Sequence, residues 1–217
     1  MKIDRTKNAG RNIVFGCMLK IYQIVMPFIM RTLMIYYMGI QYLGLNSLFT
    51  SILQVLNLAE LGVGSAMVYS MYKPIAVDDK KMICALMKLY RTYYRVIGII
   101  IAFLGLCLVP FIPKLIKSDV PADINIYILY ILNLSVTVLS YWLFAYKNCL
   151  LDAHQRTDVA SKATLVTNTL QYIVQFFTLC FLKNYYAYII VSLAAQALTN
   201  ILTAVVTCLL YTSDAAD

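Results

Sequence analysis

Charged side chains are scarce in this sequence of 217 residues, where Asp, Glu, Lys and Arg together account for 13%. Only ten residues are acidic, and His154 is the single histidine. Acid–base and metal-assisted catalysis both need such groups in a cluster. The candidates for a cluster are limited to Asp119 and Asp123 in one loop and to Asp152 and Asp158 in another. We therefore expect no enzyme, and we interpret His154 as a solvated loop residue.

The cysteines give no sign of a disulfide framework or of a metal centre. They lie singly in apolar segments, without a CxxC pair and without partnering histidines. Their positions are Cys17, Cys84, Cys107, Cys149, Cys180 and Cys208. We expect neither a bound metal nor a cofactor.

Apolar residues, in contrast, make up 62% of the chain, and its mean hydropathy is +0.76. Both values exceed what a soluble domain needs. A membrane-spanning helix requires ~20 mostly apolar residues, and we identify six runs of this kind. They lie near residues 12–38, 43–72, 92–116, 123–148, 159–183 and 185–210. The sequence predicts an all-α integral membrane protein with six transmembrane helices.

Lysine and arginine are distributed unevenly along this predicted bundle. The apolar run after "MKIDRTKNAGRN" is too long for a cleavable signal peptide, so it is predicted to be the first span. If the N-terminus is cytoplasmic, the outer segments hold three basic residues, Lys114, Lys117 and Lys183. The inner segments hold thirteen: Lys2, Arg5, Lys7, Arg11, Lys73, Lys80, Lys81, Lys88, Arg91, Arg95, Lys147, Arg156 and Lys162. This bias favours a cytoplasmic N-terminus, and it explains the net charge of +8 without nucleic-acid binding.

The segment "DDKKMICALMKLYRTYYR", residues 78–95, has two equally supported interpretations. Met82, Leu86, Leu89 and Tyr93 share one helical face and lysines the other, which is typical of a helix lying at the membrane surface. The same residues are also expected if the segment is simply the cytoplasmic start of the third span.

Polar residues recur at helical spacing inside several predicted spans, where hydrocarbon offers them no partner. The second span carries Asn46, Thr50, Gln54, Asn57 and Glu60; the fifth Thr164, Thr167, Asn168, Gln171, Gln175 and Thr178; the sixth Ser192, Gln196, Thr199, Asn200 and Thr203; and the fourth Asn133, Thr137 and Ser140. For any single residue, a hydrogen bond between packed helices is the simpler explanation. Four such stripes together favour a shared polar cavity.

Two basic residues lie within the first span. Lys20 and Arg31 are eleven residues apart, about three turns or roughly 16 Å, so they share a face, with Pro27 between them. Lys20 is near enough to the cytoplasmic end to extend its amine to the surface, and this structural role is as well supported as a functional one. Helical side chains lean toward the N-terminus, so Arg31 is directed toward the membrane centre. We expect it to face a wet cavity and attract an anion.

The sequence resembles a known family. The pieces that carry the resemblance are "FIMRT", "YLGLNSLFTSIL", "LNLAELGVGSA", "YKPIA", "LLDAHQRTDVASK" and "KNYYAYIIV". This ordered set, which extends over residues 8–206, closely resembles the N-terminal half of bacterial polysaccharide repeat-unit flippases of the O-antigen and capsule type. These belong to the multidrug/oligosaccharidyl-lipid/polysaccharide exporter superfamily.

The resemblance implies one lobe of a two-lobe transporter that works by alternating access in the bacterial cytoplasmic membrane. Its substrate would be an undecaprenyl-pyrophosphate-linked oligosaccharide. It would be surrounded by membrane lipids, and its further partners would be other polysaccharide-assembly proteins. Arg31 and Lys20 would bind the pyrophosphate, since cations suit phosphate oxygens. The cavity would be lined by Asn46, Thr50, Gln54, Asn57, Glu60, Asn168, Gln171, Gln175, Gln196 and Asn200. Pro27, Gly62 and Gly64 are hinge candidates, although close helix packing explains the glycines at least as well.

The chain departs from the family pattern in two respects. It holds only the first six-helix lobe, residues 1–207, so we expect a C-terminal lobe to be missing and the fragment to be inactive alone. The tail "CLLYTSDAAD", residues 208–217, resembles a translated sequencing adapter and is expected to be an artefact. A lipid II flippase and a drug/cation antiporter share the expected fold and remain alternatives. A membrane-embedded glycosyltransferase and a structural subunit are the alternatives of a different class.

Overall fold

The computed structural model describes residues 5–57, 62–116, 120–121 and 123–213, with the backbone alone for residues 5–8, 145 and 210–213. All regular structure within these ranges is helical, as predicted. The α-helices are α1 Arg5–Tyr37, α2 Ile40–Asn57, α3 Val63–Ala76, α4 Lys80–Leu108, α5 Ile112–Leu115, α6 Ile126–Trp142, α7 Asn148–Ala153, α8 Thr157–Phe177 and α9 Tyr185–Ser213. Short 3₁₀ turns occupy Val109–Phe111 and Ala145–Lys147, and a π-helical turn, Thr178–Leu182, extends α8.

Four helical segments are long and apolar enough to cross a membrane. They are Ala9–Tyr37, Lys80–Leu115, Thr157–Leu182 and Tyr185–Leu209. The apolar helix α6 has 17 residues, or about 25 Å at 1.5 Å per residue, which is slightly less than the ~30 Å hydrocarbon layer. The described residues therefore support a membrane protein with four such segments, and the predicted six spans are not confirmed.

The predicted second span is not one helix in the described residues. α2 ends at Asn57, and α3 begins at Val63 after Gly62, whose φ of 87° is a left-handed conformation. A residue with a Cβ rarely adopts this conformation, so the position just before α3 favours glycine. α2 has 18 residues and α3 has 14, and neither is among the four segments that are long and apolar enough to cross a membrane.

The segment of residues 78–95 is the start of the third predicted span. α4 begins at Lys80, where the Asp79 carboxylate accepts the backbone N–H of Met82 at 3.0 Å, and it continues unbroken to Leu108. This carboxylate cap satisfies one of the free N–H groups of the first turn. A separate helix at the membrane surface is therefore the wrong interpretation.

Close packing of α4 on α6 forms the centre of the core. Gly98 and Gly105 lie seven residues apart on α4, and a Cβ at these positions would overlap the side chains of Trp142 and Leu134, respectively. The buried hydroxyl of Tyr130 donates to the Gly105 carbonyl at 3.0 Å. Small residues let helices approach closely without a hydrophobic driving force, as the interior of a membrane requires.

Hydrogen bonds between residues at the starts of helices show which helices begin at the same end of the bundle. At one end of the bundle, the Tyr42 hydroxyl donates to the Asp123 carboxylate at 2.7 Å, and the Asn125 N–H donates to the Tyr186 hydroxyl at 2.6 Å. These residues precede or begin α2, α6 and α9. The starts of α1 and α8 meet elsewhere, where Asn12 accepts the backbone N–H of Asp158 at 2.9 Å. Helices α2, α6 and α9 therefore begin at one end of the bundle, and α1 and α8 begin beside each other.

Candidate functional site

A cavity of about 510 Å³ lies between α1, α2, α6, α8 and α9. We call it the arginine cavity, because Arg31 is the one ionised side chain among the described residues that line it. Its polar lining residues are Arg31, Asn46, Thr50, Gln54, Asn57, Asn133, Thr137, Gln171, Tyr172, Gln175, Tyr188 and Ser192. Polar stripes predicted on four separate helices therefore do meet around one space.

Helix α1 contributes one face to this cavity. Pro27, Met30, Arg31 and Met34 all line it, and their spacing of three, four and seven residues is that of a single helical face. Met30 and Met34 are 3% and 1% exposed, so they anchor this face to the core. Arg31 is exposed toward the cavity, and no hydrogen bond or ion pair joins it to another described residue.

Helix α2 supplies most of the amide groups. Asn46, Thr50, Gln54 and Asn57 follow one another at three- and four-residue intervals along the lining face. Leu45, Phe49 and Leu53 are buried. The hydroxyl of Thr50 donates to the Asn46 carbonyl at 2.7 Å, so the amide side chains supply most of the hydrogen-bonding groups that this wall presents.

Helices α8 and α9 close the cavity with a hydrogen-bonded set. Gln175 is 1% exposed, and its Nε2 donates to the Ser192 hydroxyl at 2.7 Å and to the Tyr188 carbonyl at 3.2 Å. Gln171 Nε2 lies 3.3 Å from the same hydroxyl. Gln175 Oε1 is buried without a hydrogen-bond partner in the described part of the chain. An orphaned buried acceptor is costly, so a donor from water or from a ligand would stabilise it.

Several predicted site residues lie elsewhere. Lys20 is exposed on α1 and does not line the arginine cavity, whose α1 lining starts at Pro27. Asn168 is half-buried on α8 and does not line it either. Gln196 and Asn200 line a second cavity. Glu60, which was predicted to line the cavity, lies outside the described residues.

Some residues of the predicted stripes form hydrogen bonds between packed helices, which is the simpler explanation given above for such residues. The hydroxyls of Thr167 and Thr199 lie 2.6 Å apart and connect α8 to α9. Asn200 is 6% exposed, and its Nδ2 donates to the Ser140 carbonyl of α6 at 3.1 Å. The stripes therefore serve both purposes, with cavity-lining and helix-joining residues on the same faces.

The hinge candidates differ in their surroundings. Gly62 separates α2 from α3 in a left-handed conformation, and a Cβ added there would meet no atom within 4 Å. Pro27 lies inside α1, which continues without interruption to Tyr37. Gly64 is close to the Tyr94 hydroxyl, 3.9 Å from where a Cβ would be. Of the three, Gly62 is the one with a left-handed backbone conformation.

The second cavity has a volume of about 790 Å³ and was not predicted from the sequence. We call it the tyrosine cavity; its lining residues are Gly64, Ser65, Val68, Tyr69, Tyr72, Tyr94, Ser140, Tyr141, Asn148, Cys149, Asp152, Gln196 and Asn200. It adjoins the arginine cavity, because the Tyr141 hydroxyl donates to Asn57 Oδ1 of that cavity at 3.2 Å. On α9, Ser192 of one cavity is one turn from Gln196 of the other.

A charged cluster at the start of α8 was also missed. Asp158 is fully buried, with Arg156 Nε 3.1 Å from its Oδ1 and Arg11 Nε and Lys162 Nζ each 3.6 Å from its Oδ2. We call these four residues the Asp158 cluster. Lys162 Nζ also lies 4.2 Å from the centroid of the Phe15 ring. The cluster fixes α1 against α8, and its four-residue spacing from Asp158 to Lys162 is the signal that could have indicated it.

Comparison of the chain with family models, with curated proteins and with solved structures found no match in any of the three.

Proposed function

We propose that this chain is a helical lobe of a transporter that moves a pyrophosphate-linked oligosaccharide lipid across the bacterial cytoplasmic membrane. The arginine cavity is the observation that carries the proposal. It combines one guanidinium, no acidic side chain among the described lining residues, and amides or hydroxyls from four helices. Such a set suits a ligand with an anionic group next to many hydroxyl groups.

The cost of placing Arg31 inside a membrane supports an anionic ligand. An arginine at the centre of a spanning helix costs at least ~2.5 kcal/mol on insertion scales. No described carboxylate offsets this cost, and Arg31 lies on a helix long and apolar enough to span. A planar guanidinium binds two phosphate oxygens at once, which an ammonium group does not. Lys20 is left out of this proposal because it does not line the cavity.

The ends of the helices support a cytoplasmic N-terminus. Arg11, Arg156 and Lys162 belong to the basic set predicted to lie inside, and they meet in the Asp158 cluster. Lys114 and Lys183 belong to the set predicted to lie outside. Lys114 lies beyond the C-terminal end of α4, and Lys183 lies beyond the C-terminal end of α8. With six spans and this orientation, the arginine cavity would lie among the spanning helices and carry the lipid-linked headgroup between leaflets by alternating access.

The lipid II flippase is the alternative closest to this proposal, since its substrate shares the pyrophosphate. A drug/cation antiporter fits the arginine cavity less well, because a cationic substrate would be repelled by Arg31. A glycosyltransferase would need paired catalytic acids or a metal-binding carboxylate cluster. Asp158 is engaged by three cations, and Asp152 has no second acidic residue beside it among the described residues that line the tyrosine cavity. A purely structural subunit would have no use for an arginine that is exposed to a cavity and has no partner among the described residues.

A binding measurement tests the proposal directly. The purified chain in lipid nanodiscs should bind undecaprenyl pyrophosphate more tightly than undecaprenol, which has the same tail without the anion. Arg31→Ala should weaken pyrophosphate binding by about tenfold or more, since a hydrogen bond to a charged group contributes ~1.5–3 kcal/mol. Arg31→Lys should restore part of it.

Lys20→Gln provides the matched control, because it removes a cation from the same helix outside the cavity. It should leave the affinity unchanged. Equal affinities for the pyrophosphate and the alcohol in the unchanged chain would refute the proposal, as would equal losses in Arg31→Ala and Lys20→Gln.

A further inference from the structure

The tyrosine cavity contains a carboxylate that has no counterion among the described residues. Asp152 is the one acidic residue among the described residues that line it, and no hydrogen bond or ion pair to its side chain is found in the described part of the chain. It lies half-buried on α7, and burial raises its pKa above the ordinary value of 3.8. A desolvated carboxylate of this kind gains stability from any cation that enters beside it.

The basic residues nearest to Asp152 in the sequence are engaged elsewhere. Lys147 Nζ lies 2.8 Å from Cys208 Sγ and 5.2 Å from the centroid of the Phe144 ring. Arg156 Nε is paired with Asp158 at 3.1 Å. Asp152 is therefore the negatively charged group of this cavity. The cavity volume of about 790 Å³ is typical of a small-molecule binding site.

Aromatic rings line the same cavity as this carboxylate. Tyr94 and Tyr141 are buried, with ring centroids 6.0 Å apart, and they form the inner wall. Tyr69 and Tyr72, with centroids 6.2 Å apart in an edge-to-face arrangement, are exposed on α3 at the mouth. The faces of tyrosine rings attract cations and the C–H groups of sugars, and ammonium groups are often bound where aromatic rings and a carboxylate combine.

The remaining lining groups offer hydrogen bonds suited to hydroxyls. Ser65, Asn148 and Gln196 present hydroxyl and amide groups from α3, α7 and α9. Gln196 Nε2 lies at 3.4 Å from Asn200 Oδ1, a long hydrogen bond that a ligand would readily replace. An inorganic cation is a poorer fit, because no group of three or more potential metal ligands occurs in the described residues. A phosphate would be repelled by Asp152.

We propose that the tyrosine cavity binds a saccharide that carries a protonated amino group, with the ammonium beside Asp152 and the sugar rings against the tyrosines. This goes beyond the proposed function, because it concerns a separate cavity and a ligand group of opposite charge. A substrate with an anion in the arginine cavity and an amino sugar here would engage both sites at once.

The experiment uses the full chain in nanodiscs and three soluble probes at pH 7, measured by isothermal titration calorimetry. The first is maltotriose with a 6-amino-6-deoxy terminal glucose, the second its N-acetylated form, and the third tetramethylammonium. The amino trisaccharide should bind about tenfold more tightly than the acetylated one, and Asp152→Asn should abolish that difference. Tyr72→Leu should weaken the binding of both trisaccharides.

Asp78→Asn is the matched control, since Asp78 is an exposed carboxylate in the turn before α4 that does not line the cavity. Its left-handed φ of 53° is one that Asn tolerates, and the tenfold preference should persist. Equal binding of the two trisaccharides in the unchanged chain would overturn the proposal. Binding of tetramethylammonium alone would overturn the assignment to a saccharide.

The two proposals fail independently. Arg31→Ala should leave the amino-sugar preference intact, and Asp152→Asn should leave the binding of undecaprenyl pyrophosphate intact. Loss of amino-sugar binding in Arg31→Ala would contradict the assignment to a separate cavity.

Discussion

Arg11 on α1 and Asp158 on α8 are distant in the sequence, yet Arg11 Nε lies 3.6 Å from an oxygen of the fully buried Asp158 carboxylate. The contact is reinforced by Asn12, whose Nδ2 donates to the Gln155 carbonyl at 3.0 Å. Because the Asp158 cluster has three cations and one acid, its stability depends on the acid. Removing Asp158 would leave the cations facing one another.

We therefore expect Asp158→Asn to be strongly destabilising. Breaking a buried ion pair from one side typically costs about 3–5 kcal/mol, and the lower end applies here because Arg11 and Lys162 are partly exposed. Thermal unfolding in detergent, followed by circular dichroism, should show a much lower midpoint. Asp78→Asn, which changes an exposed carboxylate, should unfold like the unchanged chain; similar midpoints for both variants would mean that the cluster contributes little.

The α4–α6 contact predicts a second stability effect. At Gly105 an added Cβ overlaps the Leu134 side chain, so Gly105→Ala should cost ~1–3 kcal/mol through overpacking. Gly16→Ala is the matched control, because no atom lies within 4 Å of a Cβ there and the exchange in a helix should be neutral or stabilising by ~0.5–1 kcal/mol. The same unfolding assay distinguishes them. A stabilised Gly105→Ala would show that α4 and α6 can separate at no cost.

Cys84 tests the orientation of the chain. It is exposed near the start of α4, between Lys81 and Lys88, so a cytoplasmic N-terminus places it inside. In intact cells that make a variant with Cys84 as its sole cysteine, a membrane-impermeant maleimide should not label it, whereas lysis should allow labelling. A sole cysteine introduced as Lys114→Cys, at the other end of this segment, should be labelled in intact cells. Labelling of Cys84 from outside would reverse the assigned topology.

The arginine cavity illustrates what the sequence predicts well. A helical repeat of about 100° per residue fixes which side chains share a face, so Arg31, Asn46, Gln54 and Gln171 could be assigned to inward faces from spacing alone. The face does not determine how far a cavity extends along a helix. Lys20 lies within about 20° of Arg31 around α1, yet the cavity ends near Pro27, two turns before it is reached.

The elements that were missed depend on contacts between distant segments. Asp158 and Arg11 meet because α1 packs on α8, and the pairing of helices leaves no periodic trace in either sequence. Gly62 was a hinge candidate with close helix packing as the simpler explanation, and its place at the start of α3 was not predicted because the apolar run continues through it. The tyrosine cavity draws on five helices, of which α7 was expected to be a loop.

The burial of Asp152 predicts a pH-dependent stability that is opposite in sign to that of most aspartates. Its pKa in the folded chain is raised above 3.8 by burial, so between these two values the folded state binds more protons than the unfolded state. The free energy of unfolding therefore falls as the pH rises through this window, and the loss is complete above the raised pKa.

Asp152→Asn removes the carboxylate and with it this loss. At pH 7 the variant should unfold at a higher temperature than the unchanged chain in the same detergent, and the difference should vanish as the pH approaches 3.8. An Asp152→Asn chain that is less stable at pH 7 would show that the carboxylate has a cationic partner in the protein, in which case the cavity would not be open to an ammonium ligand.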